Sequence, residues 1–260
     1  MTGIARSTTA PAVPRGAFRR LVLTEARLTV REPVGLVWGV AMPVVLVVVF
    51  GNIGVFREPI PGAGGLTLFD AYAPVLVLIS LAMLGLVGLP VPLASYRELG
   101  VLRRMSTTPV PPSRLLAAQL VVNLAAAAVA IVLIALVGVV LLGMAPPRQG
   151  FGFLVTLVLT AVCLFSLGLC VAAVARTGRS AAAIGNALFF PLAFFAGLWL
   201  PQPAMPDVLR TISELAPTGA AVAALTATMT GDLPSAQSLL LLVAYSAVFS
   251  FVAVRTFRWE

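Results

Sequence analysis

Few side chains here are able to do chemistry, and the missing types exclude more than the present ones allow. The 260 residues carry 17 basic side chains, all Arg, with 9 acids and no His. Without Lys there is no P-loop lysine and no Schiff base. Without His there is no HExxH zinc site, no Ser-His-Asp triad and no haem histidine. Cys163 and Cys170 lie seven apart in one apolar run, on one helix face and without CxxC spacing, which suits small buried packers. Asp70 opens a long apolar run, where an acid gains from the helix dipole, a structural role rather than an ion site. The densest remaining polar stretch is Tyr96 to Pro112, YRELGVLRRMSTTPVPP, a charged and proline-rich interruption of apolar sequence.

The elements that must position this stretch are set by composition. Hydrophobic residues make up 60% of the chain and charged ones 10%, against about 45–50% and about 25% in soluble domains. The expected fold class is an all-α integral membrane protein. The net charge of +8 then reads as the Arg excess that sets membrane topology, not as a soluble basic face, so no nucleic-acid partner is expected.

Residues 1–13 read as a disordered N-terminus. Residues 14–33 read as a cytoplasmic interfacial helix, with Phe18, Leu21, Val22, Glu25 and Leu28 at helical spacing and Arg19, Arg20 and Arg27 largely opposite. A plain positively charged flank of the first span is the alternative. Six membrane spans are expected within 34–254, at about 34–56, 69–94, 115–144, 151–175, 181–200 and 236–254, each near the length that crosses a roughly 30 Å hydrocarbon core. Ser113 is a candidate N-cap for the third. Gly35 and Gly39 form a GxxxG pair, a pattern that apolar sequence also produces by chance. Residues 201–235 are too polar for a simple span, and their helical pieces near 207–215 and 220–229 suit short external re-entrant or interfacial helices. Residues 255–260 form a basic tail.

This layout puts 14 of the 17 arginines on one side and leaves Arg57, Arg148 and Arg210 on the other. The positive-inside rule therefore places both termini and the Tyr96 stretch in the cytoplasm. Within that stretch Leu99, Leu102 and Met105 share one face and Arg97 and Arg104 another. Glu98 has no basic residue four positions away on either side, which leaves it for a partner's cation. Gly100 permits close approach, and Pro109, Pro111 and Pro112 end the element. By composition alone a solvated loop reads the same way.

The run from Glu98 to Val110, ELGVLRRMSTTPV, resembles the E-x-G-T-L-R/E-x-L-x-x-[ST]-P-L signature of ABC type-2 transporter permeases, with Val101 in place of the common Thr. A second run, PDVLRTISELAP from Pro206 to Pro217, is similar to that family's P-x-W-L-x-x-[IL]-x-x-x-N-P landmark. Val208 there replaces the aromatic and Ala216 the Asn. The order of elements agrees along nearly the whole chain.

The resemblance implies the membrane subunit of a bacterial ABC exporter in the cytoplasmic membrane, working as a homo- or heterodimer of permeases. A separate ABC ATPase would hold ATP and Mg, and this chain would bind no cofactor or metal itself. The coupling helix, about 96–108, would carry Glu98, Gly100, Arg103 and Arg104, and the interfacial helix would add Arg19, Arg20 and Glu25 as a second ATPase contact. Spans one, two and five would line the route, making Asn52, Asn186, Phe189, Phe190, Phe194 and Phe195 candidates, with ordinary helix packing as the alternative for each Phe. No ionisable side chain falls mid-span, which argues against a proton- or ion-coupled carrier. The implied cargo is hydrophobic or amphiphilic: drugs, antibiotics or lipid-like molecules. Glycan export by the same family, and a non-transporting scaffold or passive channel, are the competing readings.

Overall fold

The computed structural model describes residues 16–60, 65–101, 104 and 112–256. Among them the chain is built of helices, and the one β feature is an isolated bridge between Pro59 and Thr67. The expected disordered residues 1–13, Arg103, most of the proline-rich part of the Tyr96 stretch and residues 257–260 lie outside the described ones.

The first helix, α1 (Ala17–Arg31), starts after Gly16, whose φ of 99° suits glycine. It closes where the Glu32 N–H returns to the Leu28 carbonyl at 2.9 Å, just ahead of Pro33. Next come α2 (Val34–Asn52), α3 (Leu68–Glu98), α4 (Ser113–Leu141) and α5 (Gly150–Val174), all long and apolar enough to cross a membrane. After them lie α6 (Gly178–Phe195), α7 (Asp207–Leu215) and α8 (Pro217–Thr230). Last is α9 (Ala236–Thr256), again of membrane-crossing length and apolarity.

Five helices, rather than the six expected, meet the criterion of length and apolarity among the described residues. The fifth expected span corresponds to α6, which has 18 residues and so extends about 27 Å, slightly short of the roughly 30 Å core. Arg179 and Asn186 dilute its apolarity, and Gly197 at φ 87° turns the chain soon after it.

The axis of the bundle is α3. Of its most apolar stretch 78% is buried, against 22% for α2, α4 and α9, so the other helices pack around it. It also runs further than the sequence suggested, to Glu98 instead of Ala94, so Tyr96, Arg97 and Glu98 ride on its last turn and do not begin a separate helix. The reason is a wide π turn at Leu84–Gly88. After it, Pro90 and Pro92 occupy the first turn of the continuing segment, where a missing N–H costs little. At the start of α4 the helical conformation already includes Pro112, one residue ahead of the apolar span, so Ser113 follows a helical residue and does not stand as the N-cap.

Small residues bring the neighbours close to that π turn. A Cβ added at Gly39 on α2 would run into the Leu84 side chain, and one at Gly35 would touch the Gly88 backbone at 3.7 Å, so the GxxxG pair is used within the chain. Side chains at Gly168 on α5 and Gly185 on α6 would collide with the Gly85 and Leu86 carbonyls. The Ser80 hydroxyl donates to the Gly39 carbonyl. Such contacts matter in lipid, where the hydrophobic effect gives no preference for helix over acyl chain and close packing must hold the bundle.

The end where α3 begins is closed by uncharged and aromatic contacts around one acid. Thr67 and Asp70 form a capping box, and Asp70 Oδ1 also accepts the Ala145 N–H at 2.6 Å. Phe50 stacks on Phe56 with ring centroids 4.5 Å apart, and Tyr72 meets both edge-on. Asp70 is thus structural, as its position at a helix start suggested.

Candidate functional site at the arginine-rich end of the bundle

The last turn of α3 reaches two helix termini that meet beside it. The α5 helix ends at Val174 and α6 begins at Gly178, so the C-terminal carbonyls of one and the free N–H groups of the other face the same space. Arg97 Nη1 donates to the carbonyls of Ala172, Ala173 and Ala175 at 3.0, 3.3 and 2.9 Å. The next residue, Glu98, accepts the Gly178 N–H on Oε2 at 3.1 Å. A cation therefore sits at the negative end of one helix and an anion at the positive end of the next, which complements both dipoles. Thr177 and Ser180 complete the α6 terminus with a capping box of their own. A Cβ at position 178 would meet the Ser95 hydroxyl, which would have to turn away from it.

Glu98 was expected to be left for a partner's cation. Its residue is exposed, and one carboxylate oxygen is committed to α6. Behind it, Gly100 at φ 67° ends the helix, and the Arg104 N–H returns to the Gly100 carbonyl at 3.1 Å, so a new helical turn starts in another direction. Arg104 is exposed; Arg103 lies outside the described residues.

Beneath this turn α1 is fastened to the bundle through Glu25, which is only 3% exposed. Its Oε2 accepts the Tyr96 hydroxyl at 2.8 Å and the side-chain amide of Gln119 on α4. Burial pushes the Glu25 carboxyl above the usual carboxylate range, and the bonds from Tyr96 and Gln119 offset part of that rise. Arg19, Arg20 and Arg27 are exposed on the outer side of the same helix. The structure thus divides the three α1 candidates: two arginines face outward, and Glu25 holds α1 to α3 and α4. The heptad-like run of Phe18, Leu21, Val22, Glu25 and Leu28 had put Glu25 on the inner face. The Arg97 contact was missed, although adjacent opposite charges at the end of a long apolar helix are a signal for it.

The candidate pathway residues do not gather in one place. Asn186 and Phe190 are exposed on α6, with Phe190 stacked on Trp199. Phe189 is buried and meets the Phe190 ring edge-on with centroids 5.9 Å apart, and Phe194 and Phe195 are half-buried. Asn52 is exposed at the end of α2, its amide donating to the Val48 carbonyl at 2.7 Å. Among the described residues no group of three His, Cys, Asp or Glu is placed to hold a metal ion.

The comparison with known families agrees with this architecture over most of the chain. The model of the ABC-2 type transporter family matches residues 16–230, from the start of α1 to the end of α8. The chain belongs to the ABC-2 type transporter family. A curated relative, "Putative transport permease YvfS" of Bacillus subtilis (strain 168), is 23% identical over 233 residues, covering 89% of this chain and 93% of the relative. The chain is accordingly a multi-pass membrane permease of an ABC transporter, a component distinct from the ATPase with which that family works.

Proposed function

We propose that this permease belongs to an ATP-driven exporter of hydrophobic or amphiphilic molecules, and that the turn following α3 receives a separate ATPase. In this reading the bundle crosses the bilayer six times, α6 included, with the arginine-rich end in the cytoplasm, an orientation that the excess of Arg at that end supports. One observation supports the docking role above the others: Arg97 and Glu98 hold the facing ends of α5 and α6, so displacement of this turn is delivered to two further helices. Glu98, Gly100, Arg103 and Arg104 form the receiving element, Arg19 and Arg20 a second contact, and Glu25 keeps α1 in register with it.

A second permease completes the route. Asn186 lies exposed partway along α6, where lipid would leave its amide without partners, so a facing permease or a polar path suits it better. Asn52 and Phe190 join it as the exposed candidates, and the cargo passes between subunits.

The test is co-expression with the partner ATPase and measurement of ATP-driven efflux of a hydrophobic fluorescent dye. The ATPase co-purifies with the wild-type permease, and Glu98→Arg and Arg104→Glu each lower efflux by roughly tenfold or more, a typical size for a lost coupling. Failure to capture an ATPase, or unchanged efflux in both variants, overturns the docking role. Accumulation of a lipid-linked glycan in a deletion strain, with dye efflux unaltered, moves the cargo to the glycan class.

A further inference from the structure

The outward side of α1 carries two lines of side chains that the bundle does not use. Arg20, Arg27 and Arg31 are all exposed and follow one another at steps of seven and four residues. That spacing keeps them within about 40° of one another around the helix, on the side away from the buried Glu25. Leu23 and Val30, again seven apart, form a second line beside the first, and they are 47% and 68% exposed. Just past the bend at Glu32-Pro33 the chain exposes Val34, Val37 and Trp38, in the first two turns of the membrane-spanning α2. No acid lies on the Arg row, since Glu25 is committed to α3 and α4 and Glu32 follows the helix. Among the described residues the one ion pair joins Arg210 to Asp207, so none of the three arginines has a carboxylate partner there.

We propose that the outer side of α1 and the start of α2 bind anionic phospholipid, with Arg27 and Arg31 on the headgroup phosphates and Leu23, Val30 and Trp38 against the upper acyl chain. Water alone would suit the arginines but not the line of large apolar side chains beside them; the boundary between headgroups and acyl chains suits both. Tryptophan gathers at that depth of a bilayer, and Trp38 marks it here. An arginine stem lies along apolar surface while its guanidinium donates paired hydrogen bonds to a phosphate. The sign of the charge selects the lipid: a row without acids gains from a negatively charged surface and little from a zwitterionic one. Glu25 supplies the opposite hold, bonded to Tyr96 and Gln119, so the two outer lines are presented by a helix already fixed to the bundle. The inference goes beyond the docking role assigned above to the turn after α3 and does not rest on it. Arg20 stands at the end of the row given there to the ATPase, whereas Arg27 and Arg31 continue the row toward α2.

The experiment uses the full-length permease carrying Trp199→Phe and Trp259→Phe, which leave Trp38 as the fluorophore, in vesicles of phosphatidylcholine and phosphatidylglycerol. Bromine placed on the acyl chains of one lipid at a time quenches a tryptophan in contact with that lipid. Phosphatidylglycerol is favoured over phosphatidylcholine beside Trp38 by roughly fivefold, the gain from about one arginine near an anionic surface, and high salt removes most of that preference. Arg27→Gln with Arg31→Gln brings the ratio near one, whereas Arg27→Lys with Arg31→Lys, which keeps the charges, retains it. Should the glutamine pair fail to fold, the salt dependence reads the same contact with the arginines in place. Equal quenching by both lipids overturns the proposal, as does a preference that the glutamine pair or high salt leaves intact. Absence of quenching by either lipid also overturns it, because another protein chain, such as a second permease, then covers Trp38. Loss of ATPase capture in the glutamine pair assigns the row to that protein and overturns it likewise. A wild-type permease that captures no ATPase overturns the docking role alone and leaves the quenching ratio unchanged.

Discussion

At its first turn α6 receives a carboxylate, from Glu98 on α3; at its last turn it receives hydroxyls, from Ser213 and Thr218 on the helices that follow. The neighbouring α5 terminus is likewise held by a charge, Arg97. Charged side chains are usable where part of the group stays hydrated, and there the helix dipole adds to the bond. A hydroxyl carries a much smaller desolvation cost and serves where the joint is closed over, as at Ser213, which is fully buried. The start of α6 therefore has a joint that responds to salt and to charge substitution, and its last turn has joints that respond mainly to loss of a donor.

The largest effect that distinguishes the ends is expected from Arg97→Ala, which removes a charged donor from three carbonyls. It lowers stability by about 1.5–3 kcal/mol, read as a drop in the detergent-solubilised melting temperature, and Arg97→Lys recovers only part because an ammonium lacks the planar fork. Ser213→Ala is expected to cost about 0.5–1.5 kcal/mol, as for a neutral bond. Equal losses at the two positions would erase the distinction between the ends. Glu98→Gln, which keeps an acceptor but removes the charge, is expected to cost about 0.3–1 kcal/mol. High salt should shrink that loss and leave the Ser213→Ala loss alone.

The smallest effect is a pH dependence at the joint between α1 and the bundle. Glu25 holds its proton more tightly when α1 is docked than when it is free, because burial raises its pKa. Docking is therefore strongest below the ordinary carboxylate range and weakens as the pH rises through the raised value. Amide hydrogen exchange in α1 should quicken over that window, and Glu25→Gln should flatten the profile.

Local pattern explains what the sequence could disclose about these ends. Glu25 lay on the apolar face of α1 by periodicity alone, and α7 was legible at 207–215 because its polar and apolar residues alternate on a helical period. The extent of α3 was not legible, since Pro90 and Pro92 read as breakers until a π turn places them at a fresh helix start. That turn depends on backbone contacts with Gly168 and Gly185, distant in sequence and ordinary in any apolar run. The partners of Arg97 and Glu98 were hidden for the same reason. Both bond backbone atoms, and a backbone carbonyl or N–H has no residue type to betray it.

The shortness of α6 bears on how the protein is made. Of the long helices it is the one least able to enter a bilayer on its own apolarity, with Arg179 near its start and Asn186 along its length. Synthesis proceeds from the N-terminus, so Arg97 and Glu98 have already emerged when the α5–α6 hairpin leaves the ribosome, whereas Ser213 and Thr218 follow it. The weakest helix is thus met by its first anchor on arrival and secured by its second afterwards.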